Sequence, residues 1–201
     1  MAGGAAGGAL AGIIIANNIV RLKKGVALAS TAWQGLEAKG LKLGSEAVTG
    51  FAAASGETRP VLSGAIQGCD CSVKVVSDFV HSAHTRVGAK SSQPYEAAVG
   101  VHPSPAGLFG SIRAWLAQDI EIGDPEFDHA FLITAKPSEA AISFLTPSMK
   151  EAISALAGAS FAGLVIERGE VSLLFQGVET NVELLSLAVD VVIAAAHWRF
   201  D

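Results

Sequence analysis

The sequence predicts an α+β domain: mostly antiparallel sheet, in one layer or two, covered by helices, with an apolar helix at the amino terminus. Three observations carry that expectation. Between residues 59 and 102, short runs alternate apolar and polar side chains with turn residues between them, as antiparallel strands do. Residues 138–157 and 180–197 repeat apolar positions at helical spacing behind residues that cap helix starts. Residues 2–20 carry no charged side chain.

A chain of 201 residues, 50% of them hydrophobic, can bury a proper core, and its length favours one main domain with an appendage. The formal charge of -5 is spread along the chain, and 14 Lys and Arg form no sustained basic stripe, which argues against nucleic acid as a partner. Cys69 and Cys71, two apart on an extended chain, point to the same face and make a poor disulfide, so a reducing compartment fits best. The organisation expected is an apolar Gly/Ala-rich helix over 1–25, an amphipathic helix and linker over 26–58, and an α+β domain over 59–201 with halves 59–117 and 118–201.

The uncharged residues 2–20 are followed by Arg21, Lys23 and Lys24, the outline of one spanning helix with a cytoplasmic anchor, which places the main domain in the cytoplasm. Gly4, Gly8, Gly12 and Ala16 recur every four residues and offer a smooth stripe for close helix approach, hence self-association. Against a span stand the Ala/Gly-rich first half and the cost of Asn17 and Asn18 in lipid. The alternative is a soluble cytoplasmic protein in which this stretch is a buried helix or a flexible tail, and a third reading makes it the structural component of an assembly. A cleaved signal peptide ranks lower, because no positive region precedes the apolar run.

Ala29, Ala32, Trp33 and Leu36 predict an amphipathic helix over 26–39, stopped by Gly40. Residues 44–60 read as a weak helix or loop. Strands follow at 61–66, 69–78, 83–90 and 97–102, read as a meander in which Gly64 and Gly68 mark bends or a bulge. Cys69, Cys71, Val73 and Val75 share the core face, and His84, Arg86 and Lys90 the opposite one. That parity argues against a zinc site built from Cys69, Cys71, His81 and His84, whose spacing also lacks a metal knuckle, so no metal and no cofactor is expected. Residues 103–111 read as a plain surface loop rather than a mobile lid.

At Gly123 to Ile133 an acidic turn meets an apolar run. Residues 118–122 read as a short strand, Asp124-Pro125 as an N-cap followed by proline at the first helical position, and Phe127 with Phe131 as one aromatic face. The functional candidates are Asp124, Asp128 and His129, since nearby carboxylates and an imidazole can bind a hard cation or exchange protons, with His102 as an outlying member. Asp124 already has a structural task, which leaves Asp128 and His129 unassigned. No nucleophile elbow, phosphate loop or dinucleotide fingerprint occurs.

Ser138 is expected to cap a helix with Ile142 and Leu145 inward, and Thr146-Pro147 to start another with Met149, Ile153 and Leu156 as its stripe. Strands 161–167 and 170–176 joined by Arg168-Gly169 make a hairpin whose apolar density suggests central positions. Thr180 with Glu183 reads as a capping box for a last helix whose apolar arc is wide enough to be buried on more than one side.

Trp33 with Gly35-Leu36, Gly64 and Gly68 before Cys71 to Val75, Thr85-Arg86-Val87, and Gly123-Asp124-Pro125-Glu126-Phe127-Asp128 followed by Phe131 resemble a family of uncharacterised bacterial proteins, many of them membrane-anchored, over roughly residues 26–198. The resemblance implies architecture and a possible anchor, not a mechanism. The function expected is therefore a non-enzymatic, membrane-tethered domain that binds a protein partner or itself; the alternative is an enzyme or metal-binding protein with its site at Asp124, Asp128 and His129.

Overall fold

Two dipeptides turn the chain back on itself in the same way. Gln67-Gly68 (φ 51° and 80°) and Arg168-Gly169 (φ 52° and 77°) both take positive φ at both positions, the two-residue turn whose twist matches that of the strands it joins. The computed structural model describes residues 24–47, 58–77, 83–91, 96–104, 119–158 and 160–200. The apolar segment, with Gly4, Gly8, Gly12 and Ala16, lies outside the described residues, as does His81.

Among the described residues eight strands form a single sheet: β1 (Lys42–Ala47), β2 (Thr58–Ile66), β3 (Cys69–Ser77), β4 (Ala83–Lys90), β5 (Ala98–Pro103), β6 (Phe131–Lys136), β7 (Phe161–Glu167) and β8 (Glu170–Gln176). Their order is β1-β2-β3-β4-β8-β7-β5-β6, antiparallel throughout. The α+β class is as expected, with helices and one antiparallel sheet. The first four strands form the meander, but β5 leaves it and inserts between β7 and β6, so strands from 59–117 and 118–201 interleave.

Register aligns one apolar row across the whole sheet. Leu43, Leu62, Val73, Val87, Leu173, Leu164, Val101 and Ile133 sit opposite one another in turn, and all but Leu43 are buried. The helices seal this face: α1 (residues 24–32), running on as a 3-10 helix over Trp33–Lys39, then α2 (Pro125–Ala130), α3 (Glu139–Phe144), α4 (Pro147–Ala157) and α5 (Val182–His197). Helix α5 packs on β3, β4 and β8, with α4 and the 3-10 segment also against it. Its wide apolar arc is thereby used, since Leu185, Ala188, Val189, Val191, Val192, Ala195 and Ala196 are all buried. Among the described residues no helix is long and apolar enough to cross a membrane.

Several local expectations need correction. Lys42–Ala47 is a strand, not a loop or weak helix; its residues are nearly all exposed, so no apolar alternation marks it. Gly64 makes no bulge, because β2 and β3 pair without a break; it admits the Gly40 carbonyl oxygen, which lies 2.5 Å from where a Cβ would stand. Residues 119–122 form no strand, although Ile120 N–H donates to the Ile133 carbonyl at 2.9 Å and covers the outer edge of β6. Ser138 makes no side-chain cap, and Ile142 is 64% exposed while Ala140, Ala141 and Phe144 face inward. The last helix starts one residue later than expected: Asn181, not Thr180, accepts from Glu183 N–H and Leu184 N–H.

Candidate functional site

The acidic block is built from its own backbone inward. Asp124 opens α2 with its side chain accepting from Phe127 N–H at 3.3 Å, and Pro125 occupies the first helical position, where no N–H is needed. Asp128, one turn on, reaches back: Oδ1 accepts from Ile122 N–H, and Oδ2 from Gly123 N–H and Asp124 N–H, each at 3.1 Å. The two carboxylates thus bracket the turn from opposite ends. Asp119 adds a third contact of this kind, accepting from Ile133 N–H on β6 at 3.2 Å.

Beneath the turn, Phe127 and Phe131 stack with ring centroids 4.4 Å apart, and Phe131 meets Phe161 edge-on at 6.4 Å. Both phenylalanines of the block are buried, as their spacing implied. Of the three candidates the structure brings Asp124 and Asp128 together on one turn, while His129 is exposed and has no hydrogen-bond or ion-pair partner among the described residues. The residue the sequence did not bring into view is Lys150 of α4, whose ammonium pairs with Asp124 Oδ2.

That ammonium, with the Phe127 N–H behind it, holds the Asp124 carboxyl below its ordinary value. The folded-state pKa is therefore lower than the unfolded one. The stability this carboxylate contributes is complete above the unfolded value, about pH 4, and is lost as pH falls through the depressed folded value. Thermal unfolding followed from about pH 6 to about pH 2 is expected to show the native chain losing more stability over that interval than Asp124→Asn; equal losses in the two proteins would refute the assignment.

Cys69 and Cys71 are both buried on the core face of β3. Burial first, and the neighbouring Cys69 second, push the Cys71 thiol up to about 11, so it is protonated at neutral pH. Among the described residues, the imidazole beside Cys69 is that of His197 at the end of α5, whose Nε2 lies 3.6 Å from Cys69 Sγ; His84 lies on β4. Among the described residues no three His, Cys, Asp or Glu side chains gather closely enough to hold a metal ion.

His102 lies on the other face of the sheet, the one on which the described residues place no helix. Its ring rests on the backbone of β7 and β5 because those strands have glycine where it passes: a Cβ at Gly163 would stand 2.4 Å from Nδ1, and one at Gly100 3.4 Å from Nε2. Gly163 also has φ 151°, a conformation that L side chains rarely adopt, and sits at the register shift in β7. Nδ1 lies 3.5 Å from the Ala162 carbonyl oxygen. The Thr134 hydroxyl oxygen also overhangs Gly100, 2.6 Å from a Cβ built there. Ala98, Lys136, Val165 and Glu167 complete a shallow trough of about 270 Å³ over β5. It is open to solvent along its length and is separate from the acidic block.

No family model and no curated protein matches the sequence. Among solved structures, the fold is similar to that of the mycobacterial trehalose monomycolate transport factor A, with a TM-score of 0.54 over 84% of this chain and 92% of that one. The identity is 11%, so the likeness is one of fold.

Proposed function

We propose that the chain is a non-enzymatic accessory domain, tethered to a membrane through residues 2–20 and acting by binding a protein partner or a second copy of itself. The observation that carries this reading is the use made of the acidic block. Both of its aspartates spend their oxygens on backbone N–H groups of a single turn and on Lys150, the arrangement of a structural corner. His129 alone is left for the alternative of an enzyme or metal site there, and one exposed imidazole offers no second group to work with.

Two further points support the reading. The structure this fold resembles belongs to a transport factor. The uncharged run over 2–20 followed by Arg21, Lys23 and Lys24 has the outline of an anchor with the domain on the cytoplasmic side. In fractionated cells the full chain is expected in the membrane pellet, retained through a high-salt wash and released by detergent. Complete recovery in the soluble fraction without detergent would remove the tether and favour the soluble assembly component.

A further inference from the structure

The two edges of the sheet are treated differently. At β6 the chain covers its own edge, with Ile120 N–H and the Asp119 carboxylate bonded to Ile133. At β1 the described residues place nothing outside the strand, and Lys42, Gly44, Ser45, Glu46 and Ala47 are all exposed. An uncovered edge presents a row of backbone donors and acceptors and is a template for another strand unless something discourages it.

The residues on β1 are complementary to themselves. If a second β1 pairs antiparallel across a twofold axis at Gly44, then Gly44 faces Gly44, Leu43 faces Ser45, and Lys42 faces Glu46, the last pair occurring twice. Residues directly opposite in an antiparallel pair share a face and lie about 5 Å apart, within reach of an ion pair. Lys42 has no carboxylate partner among the described residues, whereas Glu46 already sits 3.8 Å from Lys74 at an exposed position and has room for a second cation. The other even registers lose this match: a shift of two residues sets Lys42 or Glu46 against Gly44, and a shift of four sets Lys42 against Lys42 or Glu46 against Glu46.

We infer that β1 is the contact surface for a second copy of this chain, joined edge to edge about Gly44 into one continuous sheet with the helices of both copies on the same side. The inference rests on the self-association half of the proposed function and names its surface. It also accounts for charges at this edge that would otherwise serve only to discourage pairing.

The test is a charge exchange in the full chain in detergent, read by sedimentation equilibrium. Lys42→Glu and Glu46→Lys each turn two attractive pairs into two repulsive ones and are expected to weaken the dimer about tenfold. Lys42→Glu combined with Glu46→Lys restores complementarity and is expected to return the dimer to native strength, which also shows that neither single change acts by unfolding. Gly44→Cys places two sulfurs across the axis at Cα distances that a disulfide spans, and its nearest neighbour atom would be an ordinary 3.8 Å away, so mild oxidation should give a covalent dimer.

A monomer at all concentrations, single reversals without effect, or a double variant as weak as the singles would each overturn the inference. A dimer that survives Lys42→Glu but is lost on Gly8→Ile would do so as well, while leaving self-association itself intact. Loss of membrane retention would remove the tether without bearing on the β1 edge.

Discussion

Replacing Trp33 with alanine is expected to destabilise the fold by about 4 kcal/mol, the range found when a fully buried large aromatic is removed from a packed core. Trp33 is 0% exposed and stands at the junction of α1 and the 3-10 segment, packed over the sheet beside α5. Its indole N–H donates to the Glu179 carbonyl at 3.0 Å, across 146 residues of sequence. Glu179 is itself a hub. Its N–H donates to Thr85 Oγ1 on β4, one carboxylate oxygen accepts from Thr180 N–H and Asn181 N–H, and the other from Ser160 Oγ. Removing the indole opens a cavity and also frees the carbonyl of the residue that positions the start of α5. Trp33→Phe keeps most of the volume and loses the hydrogen bond, and should cost about 1–2 kcal/mol. In a chain of this size, thermal melts should fall by roughly 8–16 °C for the alanine variant. A fall of only a degree or two would mean that the amino-terminal helix is dispensable to the core.

What could be foreseen from the sequence divides by the range of the physics involved. The Asp124-Pro125 start, the Phe127 and Phe131 pair, the Arg168-Gly169 hairpin and the Thr146-Pro147 helix start are set within a few residues, and all are present. The buried odd-numbered face of β3 follows from a period of two and is present too. The insertion of β5 between β7 and β6 could not be foreseen, because a strand's own alternation does not name its neighbours. Strand β1 was invisible for the opposite reason: an exposed edge has no apolar face to alternate.

Small errors have equally local causes. Asn181 rather than Thr180 is the cap because the helix begins one residue later, at Val182, which puts the Asn181 side-chain oxygen in reach of the Glu183 and Leu184 N–H groups. Ile142 is exposed because two alanines and Phe144 fill the inner side of a helix only six residues long. The role of Asp128 was hidden because its bonds run backward to residues four to six positions earlier, through a turn whose shape no periodicity encodes.

That role carries the second large effect. Asp128→Ala is expected to cost about 2–3 kcal/mol, since three backbone N–H groups lose one shared acceptor and those screened from water must find another. The loss falls on a corner with three attachments: Asp124 to α4 through Lys150, Asp119 to β6, and Phe127 to the Phe131 and Phe161 cluster. Asp128→Asn separates charge from geometry. Its amide oxygen can still accept at one or two of the three sites while the amide nitrogen cannot, so about half the loss should remain. The His129 neighbour gives the contrast, because His129→Ala removes an exposed side chain without partners among the described residues and should leave stability within about 0.5 kcal/mol. Denaturant titrations of the three variants would test this ordering. If His129→Ala proved as damaging as Asp128→Ala, or if Asp128→Ala left stability unchanged, the block would not be the structural corner described and the catalytic alternative would regain its motivation.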